Sequence, residues 1–474
     1  MLKKPCFLPL PLGAIKPVGW LARQLRIQAD GLSGHLHEFW PDVAESGWIG
    51  GIAEGWERGP YWLDGAVPLA FLIDDGDLKA EVDRWMDYIL THQREDGWLG
   101  PIKDTSRGDK YSAYDPWPVF VTLKALAQYH EVTGDTRIIP AMELFLHRLD
   151  RLLNETPLFD WGKFRWPDLV LSIHWLYDRC GRDWLLEMAA KVQEQGFDWA
   201  AHFADFPYKE KTAEEKQDRV SHVVNNAMAI KQPGVWYRHS GDPAERDAAF
   251  QIIQKLDTYH GQATGVFTGD EHLAGRNPSQ GTELCAVVEY MFSLEVLASV
   301  FGDVAFMDRL ERIAFNALPA AFKPDMWAHQ YDQQANQVIC RVSEDRIYTS
   351  NGPDANIFGL EPHYGCCTAN MHQGWPKFAS HLWMRSTDGG LAAVAYAPCV
   401  VTDEISGAEV RVDVETDYPF DDRVRVQVVT EEPVCFPLRL RIPSWTQDAQ
   451  VSVANEEPIS AEAGAFHCVE REWD

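Results

Sequence analysis

Two hydrophobic patterns divide the chain. Up to about residue 386, apolar residues recur at the three- and four-residue spacing of amphipathic helices, as in "LKALAQYHEVTGDTRIIPAMELFLHRL". From about residue 388, "AEVRVDVET", "RVRVQVVTEE" and "FPLRLRIPSW" alternate apolar and polar positions, as antiparallel strands with one buried face do. The patterns predict a mainly α protein, with a helical domain over residues 1–386 and an antiparallel β-sandwich over residues 387–474.

The helical domain repeats one unit, in which a glycine with a nearby aspartate separates two helical stretches. The five glycines are Gly76, Gly134, Gly181, Gly241 and Gly302. Glycine favours the left-handed conformation that ends a helix, and the aspartate can cap the next helix, so each unit predicts a helical hairpin. With further helices near residues 17–30 and 371–384, five hairpins supply the six pairs of an (α/α)6 toroid. An irregular bundle or a solenoid fits the same repeat.

A toroid would bring distant residues together, because the loops that open its inner helices converge on one mouth and form a cleft. The β-sandwich ends on "HCVEREWD", a strand-like segment without a closing turn. We therefore expect the sandwich to be incomplete.

Charge and composition narrow the range of partners. The 474 residues carry a formal charge of -28, which repels nucleic-acid phosphates and anionic lipid surfaces. We expect no run of about 18 apolar residues that could cross a bilayer. The start, "MLKKPCFLPLPLG", has prolines in place of a continuous apolar segment, and the nine cysteines are scattered, so we expect a cytoplasmic protein. We expect neither nucleic acid nor membrane as a partner, and the sequence is compatible with a homodimer.

Three cysteines and a glutamate form a candidate metal site. "GTELCAVVEY" places Glu283 and Cys285 at the predicted start of a helix, and "HYGCCTAN" holds the adjacent Cys366 and Cys367. Thiolates and carboxylates are zinc ligands, whereas sulfur disfavours magnesium and calcium. Neither spacing is that of a zinc finger, so the residues alone leave buried thiols or a vicinal disulfide open. An irregular helix start is needed to aim Glu283 and Cys285 at one ion.

These two motifs, with "RIQADGLSG", "WERGPYWLDG", "HVVNNAMAIKQ", "QYDQQANQV" and "LRLRIPSW", resemble glycoside hydrolase family 127, the β-L-arabinofuranosidase group, over nearly the whole chain. The resemblance implies an (α/α)6 barrel joined to β-sandwich elements, and a retaining mechanism with a zinc-bound cysteine nucleophile. Four residues match the zinc ligands: Glu283, Cys285, Cys366 and Cys367. Cys366 matches the nucleophile and Glu271, in "GDEHL", the general acid/base, with Asp270 as the alternative acid. The double role predicts a raised pKa for Glu271.

The predicted sugar pocket is less sharply defined by the sequence. His222 matches a family histidine that is expected to contact the sugar, although a histidine at a helix start can also be a structural cap. Where arabinofuranosidases of the family carry histidines at two earlier inner helices, this chain has "YDPWPVF" and "RWPDLVL". The further pocket candidates are Asp115, Trp117, Trp166, Asp168, Trp48, Trp56, Tyr61, Trp62, Asp64, Tyr331 and His363. Asp64 has the alternative role of capping a helix.

The leading hypothesis is an exo-acting glycosidase that releases terminal β-L-arabinofuranose from plant-derived oligosaccharides with the help of Zn2+. The first alternative is a hydrolase of another pectic sugar, acidic or branched, since the mouth residues differ from those of arabinofuranosidases. An inverting hydrolase or epimerase on the same toroid would use no metal. A non-catalytic carbohydrate-binding toroid would hold zinc structurally, and a thiol redox sensor would use a disulfide between Cys366 and Cys367.

Overall fold

A computed structural model describes residues 1–102, 114–344, 351–454 and 456–474. The helices are α1 (Gly19–Asp30), α2 (Leu32–Phe39), α3 (Pro41–Ala44), α4 (Arg58–Leu72), α5 (Gly76–Thr91), α6 (Trp117–Thr133), α7 (Ile138–Glu155), α8 (Asp160–Phe164), α9 (Trp166–Cys180), α10 (Trp184–Gln195), α11 (Trp199–Ala204), α12 (Val223–Ala229), α13 (Gln232–Ser240), α14 (Ala244–His260), α15 (Leu284–Phe301), α16 (Val304–Ala314), α17 (Ala317–Ala320), α18 (Gly365–Asn370) and α19 (Gly374–Ser380).

The strands are short in the first four-fifths of the chain, and all strands of seven or more residues follow it. They are β1 (Phe7–Pro9), β2 (Ile15–Pro17), β3 (Gly269–Asp270), β4 (His272–Leu273), β5 (Thr282–Glu283), β6 (Asp332–Gln333), β7 (Trp383–Ser386), β8 (Leu391–Ala393), β9 (Cys399–Ile405), β10 (Ala408–Thr416), β11 (Val424–Thr430), β12 (Val434–Ile442), β13 (Gln450–Val451), β14 (Ile459–Ser460) and β15 (Ala465–Trp473).

The helices alternate between an inner and an outer ring, so the predicted (α/α)6 toroid is confirmed. In the described part of the chain the inner positions are taken by α4, α6, α9, the broken helix α12–α13, α15, and the broken helix α18–α19. Their residues are buried almost all round, whereas outer helices such as α7 and α16 bury one face. An inner helix is surrounded by other helices and is buried on all sides, whereas an outer helix has one face in solvent.

The hairpin glycines behave as predicted at four of the five positions. Gly134, Gly181, Gly241 and Gly302 each end an inner helix with φ between 64° and 68°. Gly76 differs, because it is the first residue of α5, where Asp75 caps Leu78. The repeat therefore identified the chain reversals between inner and outer helices. Gly76, the first glycine of the repeat, lies beyond the end of α4 and begins the next helix.

A ring of alternating charges closes the interior of the toroid, with one member from each inner helix. We call it the charge ring; its members are Asp64, Lys124, Asp168, Lys231, Glu289 and Lys377, and none is more than 6% exposed. Lys124 and Lys231 bind opposite oxygens of Asp168 at 3.0 and 2.9 Å, and Lys377 binds Asp64 at 2.6 Å. Lys231 lies 3.9 Å from Glu289, and Gln373 bridges Glu289 to Lys377. The ring is neutral overall, so each buried charge has an opposite charge beside it.

The β part consists mainly of two antiparallel sheets, ordered β1-β7-β8-β12-β15 and β11-β10-β9-β2, in which β8 and β12 pair in parallel. Two N-terminal strands belong to it: β1 pairs with β7, and β2 pairs with β9. A division at residue 387 leaves these strands, and β7, on the helical side. Alternation could not reveal β1 and β2 because each is only three residues long.

A buried arginine joins the sheets to the toroid. Arg441 of β12 forms ion pairs with Asp308 and Glu311 of α16, and the hydroxyl of Tyr418 donates to Glu311 at 2.6 Å. The arginine is fully buried. The two parts of the chain therefore share one packed core.

One expectation about apolar runs is wrong. The inner helix α15 has the length and apolar character of a membrane span, with a mean hydropathy of 1.8. Of its 18 residues, all but Phe301 are buried within the toroid. Its composition is accounted for by its place in the core.

Candidate functional site

The four candidate metal ligands lie at the start of two neighbouring inner helices. Glu283 ends β5 with an extended backbone (ψ 132°) and is the N-cap residue of α15, so Cys285 follows in the first helical turn. Cys366 and Cys367 lie in the first turn of α18. The change from strand to helix between Glu283 and Cys285 is the irregular start that lets both side chains point to one place.

The ligand atoms of these four residues all lie within 4.8 Å of one another. The Glu283 Oε1 atom is 3.9 Å from the sulfur of Cys366 and 3.9 Å from that of Cys367. Ligands at zinc bond lengths would be separated by about 3.6 Å along a sulfur-to-oxygen edge of a tetrahedron. The residues therefore fit a four-ligand thiolate and carboxylate site. All nine cysteines are free thiols, which argues against the vicinal disulfide.

The electrostatics of this cluster call for a cation. Burial raises the pKa of Glu283, Cys285 and Cys367 well above their usual values, because their charged forms would be desolvated. The Cys366 thiol is the exception: Cys285 and Cys367 donate hydrogen bonds to its sulfur, which lowers its pKa well below the usual value. The Glu283 Oε2 atom is buried without a hydrogen-bond partner in the described residues. The cluster can hold a metal ion, and Cys366 is its most readily ionised thiol.

A cavity of about 310 Å³ opens over this cluster at the mouth of the toroid. Of the four candidate ligands, Glu283, Cys285 and Cys366 line it. Cys366 is half-buried, whereas Cys285 and Cys367 are buried. The walls are completed by Trp56, Glu57, Tyr61, Asp160, Trp161, Arg165, Arg219, His222, Val224, Glu271 and Tyr364. The predicted cleft at the inner-helix mouth is present.

A small sheet, β4-β3-β5-β6, aligns the candidate acid/base with the cluster. Glu271 lies at the turn between β3 and β4 with φ 75°, a conformation that is costly for a residue with a Cβ atom. Its Oε1 atom is 3.4 Å from His222 Nε2, and the Tyr331 hydroxyl donates to its Oε2 atom. Ligand atoms of His222, Glu271 and Glu283 lie within 4.8 Å of one another, so Glu271 borders the metal-ligand cluster.

The pKa of Glu271 differs from the expectation. Burial would raise it, but the hydrogen bond and charge of His222, with the hydrogen bond from Tyr331, outweigh burial and hold the pKa at about 2. The pKa of His222 is lowered by its own burial. Glu271 is therefore ionised in the ligand-free cleft. The neighbour Asp270 is buried outside the cavity and accepts from the Gly281 amide at 2.6 Å.

Several predicted pocket residues lie outside the cavity, so their assignment to the pocket is wrong. Trp62 is fully buried, packs against Trp85 and donates to the Ser33 carbonyl. Asp64 belongs to the charge ring, so it neither reaches the cleft nor caps a helix. Both are one or two helical turns too deep, because α4 begins at Arg58. Asp168 is also in the charge ring, although it lies in the first turn of α9.

Other candidates support the cleft from behind. Trp117 is buried and donates to Glu57 Oε2 at 2.5 Å, and Asp115 accepts from Trp56 Nε1 at 2.8 Å. Tyr331 lies behind Glu271, and His363 packs edge-on against Tyr331. The buried Trp48 and Trp166 donate to backbone carbonyls. Trp56, Tyr61 and His222 line the cavity as predicted.

The sequence reasoning missed seven wall residues: Glu57, Asp160, Trp161, Arg165, Arg219, Val224 and Tyr364. Arg165 is only 4% exposed, and its guanidinium is stacked between Trp117 and Trp161. Arg219 stacks on Trp161 and pairs with Asp160 at 2.5 Å. Arg165 could have been found from its position directly before "WPDLVL", at the predicted mouth of an inner helix. The tryptophan that follows it, Trp166, is buried in the core.

Comparison with known proteins agrees with this architecture. The sequence model of the β-L-arabinofuranosidase GH127 catalytic domain matches residues 37–380, and that of the GH127 middle domain matches residues 390–474. The non-reducing end β-L-arabinofuranosidase of Bifidobacterium longum subsp. longum is 22% identical over 453 residues, which cover 86% of this chain and 67% of that protein.

Two solved structures share the fold. A GH127 β-L-arabinofuranosidase from Geobacillus stearothermophilus T6 superposes with a TM-score of 0.74 at 17% identity, over 97% of this chain and 80% of that one. A second GH127 β-arabinofuranosidase gives a TM-score of 0.68 at 15% identity, over 99% and 79%. At such identities the likeness shows the fold alone.

The fold is that of the (α/α)6 toroid enzymes, here with a polar cleft at the mouth and a carboxyl beside a thiol cluster. With both family domains matched over most of its length, the chain belongs to the β-L-arabinofuranosidase family GH127. It is a glycoside hydrolase.

Proposed function

We propose that this protein is a retaining exo-glycosidase that releases terminal β-L-arabinofuranose from plant-derived oligosaccharides, with Cys366 as nucleophile and Glu271 as acid/base. One observation carries the proposal. Of the candidate ligands, Cys366 is the one that is half-buried at the floor of the cleft and whose thiol has a lowered pKa. Glu271 borders the same cluster. The name of the curated relative supports arabinofuranose as the sugar.

Glu283, Cys285, Cys366 and Cys367 would hold the metal, and three sulfur ligands favour Zn2+ over harder cations. A bound zinc ion would keep the thiols deprotonated near neutral pH, where a free cysteine is mostly protonated. The remaining chemistry belongs to the protein. The cleft orients the sugar with its anomeric carbon toward the Cys366 sulfur.

In the first step the Cys366 thiolate attacks the anomeric carbon through an oxocarbenium-like transition state. The carbon–sulfur bond forms as the bond to the leaving oxygen breaks, and Glu271 gives that oxygen a proton. In the second step Glu271, now a carboxylate, removes a proton from water. The water oxygen forms the new bond to the anomeric carbon while the carbon–sulfur bond breaks, so two inversions give net retention.

The first step requires Glu271 to take up a proton, although its pKa is about 2 in the ligand-free cleft. Ionised Cys366 and Glu283 act in the required direction, since negative charge beside a carboxyl raises its pKa. A sugar that excludes water from the cavity would add to this effect. The proposal therefore expects the pKa of Glu271 to rise when the thiols are ionised and the cleft is filled.

The test combines metal analysis with hydrolysis of p-nitrophenyl β-L-arabinofuranoside. Wild type, Cys366→Ser and Glu271→Gln are compared with Cys435→Ser, which changes an exposed cysteine remote in sequence from the site. We expect about one zinc per wild-type chain, loss of turnover in both site variants and full activity in the control. Proton NMR of the first product should show the β-anomer.

A sugar adduct on Cys366 is the decisive species. With a good leaving group, Glu271→Gln should form the thioglycosyl protein faster than it hydrolyses it, so mass spectrometry of the denatured chain should find the sugar on the peptide with Cys366. Activity retained by Cys366→Ser would reject the nucleophile. Zinc binding without hydrolysis of any glycoside would favour a carbohydrate-binding toroid, and turnover of acidic pectic glycosides alone would reject arabinofuranose.

A further inference from the structure

A glutamate and an arginine with no role in the proposed mechanism stand side by side in the wall of the cleft. Glu57 is the N-cap residue of α4 and Arg165 that of α9, so both lie at the mouth of the toroid. They are 8% and 4% exposed, and Arg165 Nη1 lies 3.5 Å from Glu57 Oε2. Both line the cavity together with Cys366.

The surrounding side chains fix both groups. The guanidinium carbon of Arg165 lies 4.3 and 4.4 Å from the ring centres of Trp117 and Trp161. Its Nε atom donates to Asn225 Oδ1 at 2.7 Å, and the Asn225 amide nitrogen donates to the Arg219 carbonyl, which sets the orientation of that amide. Such a guanidinium is held rigidly before any ligand arrives.

On Glu57, the oxygen nearest the arginine is also the one that Trp117 Nε1 donates to, at 2.5 Å. Arg165 Nη1 additionally reaches the Tyr61 hydroxyl at 3.3 Å. These contacts occupy Glu57 Oε2 and two of the three Arg165 nitrogens. Glu57 Oε1 and Arg165 Nη2 have no hydrogen-bond partner among the described residues, and neither is among the fully enclosed polar atoms. The wall thus offers one acceptor and one donor beside each other.

An acceptor next to a donor matches two adjacent hydroxyls of a sugar. One hydroxyl donates to the carboxylate oxygen, and the oxygen of its neighbour accepts from the guanidinium. Burial raises the pKa of Glu57 to about 7, although Arg165 lowers it, so above pH 7 the two opposite charges compensate each other. A sugar carboxylate would then meet the carboxylate of Glu57. The pair therefore suits a neutral sugar.

We propose that Glu57 and Arg165 are specificity-determining residues that bind two adjacent ring hydroxyls of a neutral glycon, which for an arabinofuranoside are the 2- and 3-hydroxyls. This inference rests on the proposed function for the identity of the sugar. The aromatic side chains of Trp117 and Trp161 act through Arg165 as positioning residues. Cys366 and Glu271 remain the groups that react.

The test pairs each side-chain change with removal of one sugar hydroxyl. Calorimetry measures binding of methyl β-L-arabinofuranoside and its 2-deoxy and 3-deoxy analogues to the zinc-loaded full chain carrying Glu271→Gln, which keeps all four candidate metal ligands. The measurement is made on this variant alone and combined with Glu57→Gln or Arg165→Lys. Each substitution should weaken binding of the parent sugar about 10- to 100-fold, the range of a hydrogen bond to a charged group. For the analogue that lacks the hydroxyl bound by the substituted side chain, the same substitution should weaken binding less than about twofold.

The control is Glu415→Gln, which removes a carboxylate from an exposed ion pair on the β-sandwich and should change no affinity. Equal weakening of the parent and both analogues would assign Glu57 and Arg165 a structural role and overturn the proposal, as would absence of any binding. Hydroxyl-specific losses without hydrolysis by wild type would keep the pair and reject the proposed function. If Glu57→Gln and Arg165→Lys leave the turnover of arabinofuranoside unchanged, the proposed function stands and the role of the pair is rejected.

Discussion

The charge ring predicts that one conservative substitution below the cleft destabilises the whole toroid. Asp168→Asn keeps the shape of the side chain but removes the negative charge between two lysines. Lys124 at 3.0 Å and Lys231 at 2.9 Å then lose their common partner. Burial opposes the charge on Asp168, and these two lysines outweigh burial and lower its pKa, so the attraction is the larger effect in the native ring.

The expected cost follows from the burial of the ring. Breaking a buried ion pair by removing one partner typically costs about 3 to 5 kcal/mol, because the remaining charge stays desolvated and unpaired. Unfolding entropy is about 2 cal/mol/K per residue, so a chain of this length that unfolds cooperatively shifts by about 1 °C per kcal/mol. The melting temperature of Asp168→Asn should therefore fall by about 3 to 5 °C.

Differential scanning calorimetry of the zinc-loaded protein is the assay. Glu415→Gln is the matched control, since Glu415 and Arg425 form an ion pair in which both side chains are about two-thirds exposed. Such pairs contribute little, and the control should melt within about 1 °C of wild type. The reasoning is refuted if Asp168→Asn melts with the control. Adding Lys124→Met should recover part of the loss, because it removes one unpaired charge.

Three further predictions concern the acid/base, the pH range and helix packing. Tyr331→Phe removes a hydrogen bond to ionised Glu271 and should raise the kinetic pKa of that carboxyl by about one to two units in a pH profile of kcat/KM; an unchanged profile would contradict the contact. The pKa of His260 is lowered to about 4 by burial. The unfolded chain therefore binds the proton first as pH falls through 6.5, and His260 alone should account for a loss of about 3 kcal/mol toward pH 4 in urea titrations. His260→Gln should remove this part of the loss and leave the parts due to other buried histidines such as His329 and His381, whose pKa values burial also lowers to about 4. Gly65→Ala would place a Cβ atom 2.4 Å from the backbone of the facing turn and should cost about 1 to 3 kcal/mol, whereas Gly76→Ala, with open space around it, should not destabilise.

The parts of the fold that the sequence revealed are those with a strong local signal. Gly134, Gly181, Gly241 and Gly302 mark chain reversals, because a left-handed residue after a helix is largely a property of glycine itself. The β-sandwich showed itself through alternation in β10 to β12. The strands β1 and β2 had no such signal, since three residues carry no period and their partners are nearly four hundred residues away.

The charge ring was not predicted, although the sequence carries part of its signal. An isolated charge such as Lys124 within a buried helix predicts a partner, because a buried ammonium group is rarely left unpaired. Which carboxylate serves it depends on how the inner helices are rotated and shifted along their axes. No local pattern fixes those quantities, so Asp64 and Asp168 were assigned to the cleft when they lie below it.

The cleft itself obeys a positional rule. The residue directly before an inner helix lines the cavity at five of its helices: Glu57 before α4, Arg165 before α9, His222 before α12, Glu283 before α15 and Tyr364 before α18. All inner helices start at the same end of the toroid, and an N-cap residue is the last one not committed to the helical wall, so its side chain is free to turn toward the axis. Sequence reasoning found His222 and Glu283 because motifs drew attention to them. It missed Arg165 because it chose Trp166 and Asp168, which lie inside α9. It named Trp56 and His363, the direct neighbours of Glu57 and Tyr364, but not those two N-cap residues. In a toroid of this kind, the substrate contacts are therefore to be sought first at the N-caps of the inner helices.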